Sequence, residues 1–103
     1  MSFQVVFLED AEIDLDGIDE YLCQFSEKAS DNLLFQMEAQ IFMLVENPYI
    51  YQAYEEDPFF RRMLVGDYSL FYSVNEQEKQ VIIHRVFHQS RDVSSQLLNH
   101  RST

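Results

Sequence analysis

Between Phe59 and Asp92 the chain reads FFRRMLVGDYSLFYSVNEQEKQVIIHRVFHQSRD, three strand-like segments separated by two turn signals. The first signal, Gly66-Asp67, is the strongest constraint on the fold. Two turn-forming residues between apolar runs close a tight antiparallel hairpin, so Phe60–Val65 is expected to pair with Tyr68–Val74. Alternation along the second strand sends Tyr68, Leu70, Tyr72 and Val74 to one face and Ser69, Phe71 and Ser73 to the other. After the polar turn Asn75–Glu78, the run Val81–His88 is nearly continuous in apolar residues, which predicts a central strand covered on both faces. Period two would place His84 and His88 on one face and Arg85 on the other.

Everything before this stretch prepares a cover for it. Phe3–Phe7 is short, β-branched and aromatic, and is expected to be an inner strand. Ala11, Leu15, Ile18, Leu22 and Phe25 then recur at helical spacing, predicting a helix from about Glu9 to Phe25, with Glu12, Asp14, Asp16, Asp19 and Glu20 on its solvated side. Gly17 weakens that helix by roughly 1 kcal/mol relative to Ala. Ser26 and Ser30 are the candidate caps for a second helix, whose stripe is Leu33 or Leu34, Met37, Ile41, Leu44 and Val45. Asn47-Pro48 stops it, because the residue before proline avoids the α region. Met37 and Met43 read as core filler, and the tyrosine-rich link Tyr49–Asp57 as a loop packed on the sheet.

The order strand, two helices, three strands predicts an α+β fold: an N-terminal strand and a two-helix hairpin packed on a mainly antiparallel sheet of about four strands. The 103 residues are the size of one domain, residues 1–103. No further helix is evident to cover the second face of the sheet, which is therefore expected to be partly open. The tail containing Leu97 and Leu98 reads as a short helix.

Charge is divided along the chain. Through Asp57 there are fourteen acids against Lys28 alone, a net −13; from Pro58 onward four acids face six bases, a net +2. A chain so negative is not expected to bind duplex DNA, whose phosphates it would repel. Cys23 is the single cysteine, so no internal disulfide or zinc pattern is available, and neither a metal nor a cofactor is expected. No apolar run reaches a membrane span, and the N-terminus lacks the marks of a secretion signal, so a cytoplasmic protein with no membrane contact is expected.

The basic residues lie in or just after the strand region, where a site is expected. RNA cleavage needs a base for the 2′-hydroxyl, cations for the phosphorane-like transition state and an acid for the leaving oxygen. Arg62, His88 and Arg91 are the catalytic candidates for such a reaction. Arg61, Arg85, Tyr68 and Phe71 are the candidates for binding a partner, although Arg85 equally suits an internal pair with a helix carboxylate.

The ordered set Pro48, Pro58, Arg61-Arg62, Tyr68 to Val74 (YSLFYSV) and Val81 to Asp92 (VIIHRVFHQSRD), after a hairpin carrying Asp14-Leu15 and Ile18…Tyr21, resembles the RelE/ParE superfamily of toxins. These are the toxins of type II toxin–antitoxin modules, and the resemblance is closer to the ParE, or plasmid-stabilisation, branch. It implies a small cytosolic toxin held inactive by a cognate antitoxin. ParE-type members poison DNA gyrase, whereas RelE-type members cut messenger RNA on the ribosome. The nuclease branch places basic residues at alternate positions before the glycine turn, where this chain has Phe60, Arg62 and Leu64; Gln89 stands where a further arginine is typical. Three readings follow: a non-enzymatic toxin that binds a protein such as gyrase, a ribosome-dependent endonuclease using Arg62, His88 and Arg91, or a member that only binds its antitoxin. The antitoxin contact is expected to be mostly apolar, with local pairs to Arg61, Arg62 or Arg85, and weakly dependent on salt.

Overall fold

The computed structural model describes residues 2–89 and Leu97. In chain order its elements are β1 (Gln4–Phe7), α1 (Glu9–Cys23), α2 (Glu27–Glu46), β2 (Arg61–Val65), β3 (Tyr68–Asn75) and β4 (Gln80–His88). The strands form one sheet in the order β1-β4-β3-β2, with β1 parallel to β4 and the other pairs antiparallel. This is the expected α+β arrangement with one correction: β1 is an edge strand rather than an inner one. Its sequence is apolar because Val5 and Phe7 turn toward the helices and pack on the core.

The helices start and turn where their end groups find partners. Glu9, Asp10 and Glu12 crowd the first turn of α1, at the positive end of its dipole, and offset the absence of a side-chain cap from Leu8. Ser26 caps α2 by accepting the Ala29 N–H at 3.2 Å. The other candidate cap, Ser30, lies one turn inside α2, where it is buried and its hydroxyl donates to Asp19 of α1, tying the hairpin together. Ala11, Leu15 and Ile18 of α1 and Met37, Ile41 and Leu44 of α2 fill the space over one face of the sheet, against Met63, Leu70, Tyr72, Val81, Ile83 and Val86. The predicted stripes run further than the burial does. Phe25 is exposed with its ring edge-on to Tyr21, and Met43 is exposed as well.

The Gly66-Asp67 hairpin forms in the expected register, Val65 opposite Tyr68, with Gly66 at φ +57°, a conformation that costs a residue with a side chain. Between β3 and β4 the register slips: Phe71 stands opposite Arg85 but Tyr72 opposite Ile83, so His84 is an extra residue on β4. This β-bulge breaks the alternation beyond it. His84 joins Ser73 on the face away from the helices, its Nε2 2.8 Å from the Ser73 hydroxyl, while His88 pairs with Tyr68 on the helix side. The two histidines therefore sit on opposite faces, contrary to the simple period-two reading.

The second face of the sheet is closed rather than open. Phe60, Phe71, Phe87 and Leu97 are each at most 1% exposed and form a second apolar cluster, with Tyr54 packed against it. The cover comes from the link between α2 and β2, with Leu97 added from beyond β4. Tyr54 lies edge-on to Phe71 at 5.0 Å, and the rings of Phe59 and Phe60 stand against His84 at 6.1 and 5.0 Å. Ala53 bridges to Arg61, which fixes the approach of the link. Aromatic side chains from a loop thus replace the helices whose absence from the sequence suggested an exposed surface.

Candidate functional site

Four of the predicted site residues are fastened inside the molecule. Asp14 of α1 accepts hydrogen bonds from two of the three guanidinium nitrogens of Arg85, Nε at 2.7 Å and Nη2 at 2.9 Å, and also from the backbone N–H of Val86 at 2.9 Å. The Asp14 carboxylate pushes the Arg85 guanidinium further above its ordinary pKa, outweighing the opposing effect of burial. The cation also lies 4.4 Å above the Phe87 ring, so it is anchored on both sides. Arg61 donates to the Tyr51 carbonyl at 2.7 Å and covers the Tyr49 ring at 4.8 Å. Arg62, on the second face, donates from Nε to the Ser69 hydroxyl at 3.0 Å, beside the Tyr54 ring. Phe71 is part of the second cluster, and its burial beneath Phe60, Phe87 and Tyr54 removes it from contact with a partner.

His88 is exposed, with Tyr68 largely buried beside it. Their rings meet edge-on at 5.4 Å, and together with Ile13, Gly17, Ile18 and Tyr21 of α1 they line a groove between that helix and the end of the hairpin. Gly17 borders open space in this groove, with no atom within 4 Å of where its Cβ would stand. Burial, with a smaller contribution from Tyr21 and Asp67, raises the pKa of the Tyr68 phenol. Gln89 closes the end by donating its N–H to the Asp67 carbonyl at 2.8 Å and its side-chain amide to the Gly66 carbonyl at 2.9 Å. The catalytic candidates are not brought together: Arg62 lies on the face bearing Ser69 and Tyr54, His88 on the face bearing Tyr68 and α1, with the sheet between them. Arg91 and the Leu98 tail lie outside the described residues. Among the described residues no group of three or more His, Cys, Asp or Glu side chains could hold a metal ion, and no helix is long and apolar enough to cross a membrane.

A second surface was not evident from residue chemistry. Beside β1, the side chains of Val5, Phe7, Leu15, Leu34, Ile41 and Phe42 line an almost wholly apolar groove of about 470 Å³. Gln4 and Leu8 donate their N–H groups to Lys79 and Ile83 of the β4 side, so by the alternation of a parallel pair the backbone groups of Val5 and Phe7 point away from β4, along the edge. The signal for this surface was present in α2. Phe35 and Phe42 lie seven residues apart, off the predicted core stripe, and are 77% and 69% exposed.

Residues 5–93 match the family model described as ParE toxin of type II toxin-antitoxin system, parDE. Among solved structures, a chromosomal ParDE toxin–antitoxin system from P. aeruginosa is 21% identical, with a TM-score of 0.67 over 84% of this chain and 96% of that one. A mutant of the E. coli toxin RelE in the free state is 17% identical, with a TM-score of 0.72 over 97% of this chain and 98% of that one. The toxin–antitoxin complex RelBE2 from Mycobacterium tuberculosis is 21% identical, with a TM-score of 0.57 over 85% of this chain and 99% of that one. No curated protein sequence matches significantly. The likenesses establish the fold, which is common to both ParE and RelE structures.

Proposed function

The chain belongs to the ParE toxin family of type II toxin–antitoxin systems, and from that premise we propose that this toxin acts by binding a protein target such as DNA gyrase, and is held inactive by a cognate antitoxin seated in the groove beside β1. The observation that carries binding over RNA cleavage is the separation of Arg62 from His88 by the thickness of the sheet. A general base and a charge-stabilising cation must reach one phosphate within hydrogen-bonding distance. Among the described residues, Arg61 and Arg85 do not take the place of Arg62 beside His88, because the Tyr51 carbonyl and Asp14 hold them.

The seat is supported by the apolar lining beside β1 and by the outward-pointing backbone groups of Val5 and Phe7. An extended segment can add to such an edge, and a helix can lay its apolar face on Phe42 and Ile41. Both partners act in the cytoplasm, and so, in this reading, does the toxin.

The test is a supercoiling assay with purified gyrase, run beside a ribosome-bound message assayed by primer extension. Inhibited supercoiling that survives His88→Ala, with an intact message, is the expected result. Message cleavage abolished by both His88→Ala and Arg62→Ala would overturn the reading in favour of an endonuclease.

A further inference from the structure

On one face of α2 the side chains run Asp31, Phe35, Glu38, Phe42 and Glu46, spaced by four, three, four and four residues. That spacing stacks them in a single row. Two of the most exposed large apolar side chains among the described residues, Phe35 and Phe42, thus alternate with three carboxylates, and Phe42 also lines the groove beside β1. From Glu9 to Glu46 the hairpin carries eleven acids against Lys28 alone. Among the described residues, the arginines that would meet an acidic partner are engaged elsewhere, Arg85 on Asp14, Arg61 on the Tyr51 carbonyl and Arg62 on the Ser69 hydroxyl.

We propose that the antitoxin segment covering α2 is cationic and amphipathic, with apolar residues meeting Phe35 and Phe42 and lysine or arginine meeting Asp31, Glu38 and Glu46. This rests on the antitoxin seat proposed above and specifies its chemistry. An acidic segment would bring like charges together around a partly desolvated apolar contact, where repulsion is least screened. A second copy of this chain, related by two-fold symmetry through the same row, would set these carboxylates against their own equivalents. The engagement of Arg61, Arg62 and Arg85 also revises the weak salt dependence expected from the sequence. The pairs that form here use the chain's carboxylates, which are many and exposed.

The experiment uses two synthetic helical peptides with the same leucine face, one carrying lysine and the other glutamate on its polar positions, titrated into the full chain by fluorescence anisotropy. The lysine peptide is expected to bind at least about tenfold tighter at low ionic strength and to lose most of that advantage by about 0.5 M salt. Phe35→Ser with Phe42→Ser, both at exposed positions, is expected to abolish the binding, and Glu38→Lys to weaken it. Equal or tighter binding of the glutamate peptide overturns this proposal and leaves the seat standing. Binding of neither peptide removes the helical seat itself. Lysine-peptide binding indifferent to the phenylalanine substitutions would be non-specific attraction, and overturns it too. So would concentration-dependent self-association of the chain alone that Phe35→Ser abolishes, which assigns the row to a second copy.

Discussion

Asp14 and Arg85, 71 residues apart in sequence, form a two-pronged ion pair at the point where β1 has ended and β4 continues with a neighbour, β3, on one side alone. The same carboxylate takes the Val86 N–H, so one side chain of α1 does the work of the missing strand. The pair is only 16% and 11% exposed, too buried for water to replace either partner freely. Asp14→Ala is expected to cost about 3 kcal/mol, read as a lower urea midpoint at unchanged slope. Asp14→Asn, which can still accept the Val86 N–H, should recover part of that loss.

Phe60 tests whether the second face is a true core. It is fully buried among Phe71, Phe87 and Leu97, so Phe60→Ala should cost about 3 kcal/mol or more. A loss below about 1 kcal/mol would show instead that the face is open in solution.

The two glycines are expected to respond to alanine with opposite signs. Gly17 is helical and has open space where a Cβ would stand, so Gly17→Ala should stabilise by up to about 1 kcal/mol. Gly66 has room as well, with Leu33 Cδ1 at 3.5 Å, but its φ of +57° strains alanine, and Gly66→Ala should destabilise by about 1 kcal/mol. Thermal unfolding of the two variants side by side checks the contrast.

Tyr72 predicts a limit on alkaline stability. Burial pushes its phenol up to about 12, outweighing the pull of Arg61, while its hydroxyl donates to the Pro48 carbonyl at 2.7 Å. In the unfolded chain the group ionises near pH ~10, so above that pH the unfolded state holds fewer protons and is favoured. The contribution is fully present below about pH 10 and is lost as pH rises toward 12. Tyr72→Phe should flatten the fall in denaturant midpoint over this range, at a cost of about 1 kcal/mol near neutrality for the lost hydrogen bond.

The sequence made the element order, the glycine hairpin, the Ser26 cap and the central position of β4 legible, because each follows from local periodicity or turn chemistry. It also allowed an internal partner for Arg85. The packing of the Tyr49–Asp57 link on the sheet was legible too, but not that its rings, with Phe59 and Phe60, would close the second face, since that closure depends on contacts between residues far apart in the chain. The inserted residue at His84 was equally hidden. A one-residue bulge leaves no mark on hydrophobic alternation, yet it sent the two histidines to different sides, whereas Arg62 and His88 face apart by simple alternation, opposite Phe71 and Tyr68 of β3. The α2 row is legible in Phe35 and Phe42, two large rings on a polar side, off the core stripe.

The parallel pairing of β1 with β4 has a consequence for the order of assembly during synthesis. Gln4–Phe7 is made first but has no strand partner until Gln80–Ile83 emerges from the ribosome. Until then the hairpin that follows it lacks most of the surface it is meant to cover, and the nascent chain presents greasy helices rather than a finished poison. Acquisition of the folded, harmful form is therefore a late event in translation, which leaves the inhibitor an interval in which to be waiting.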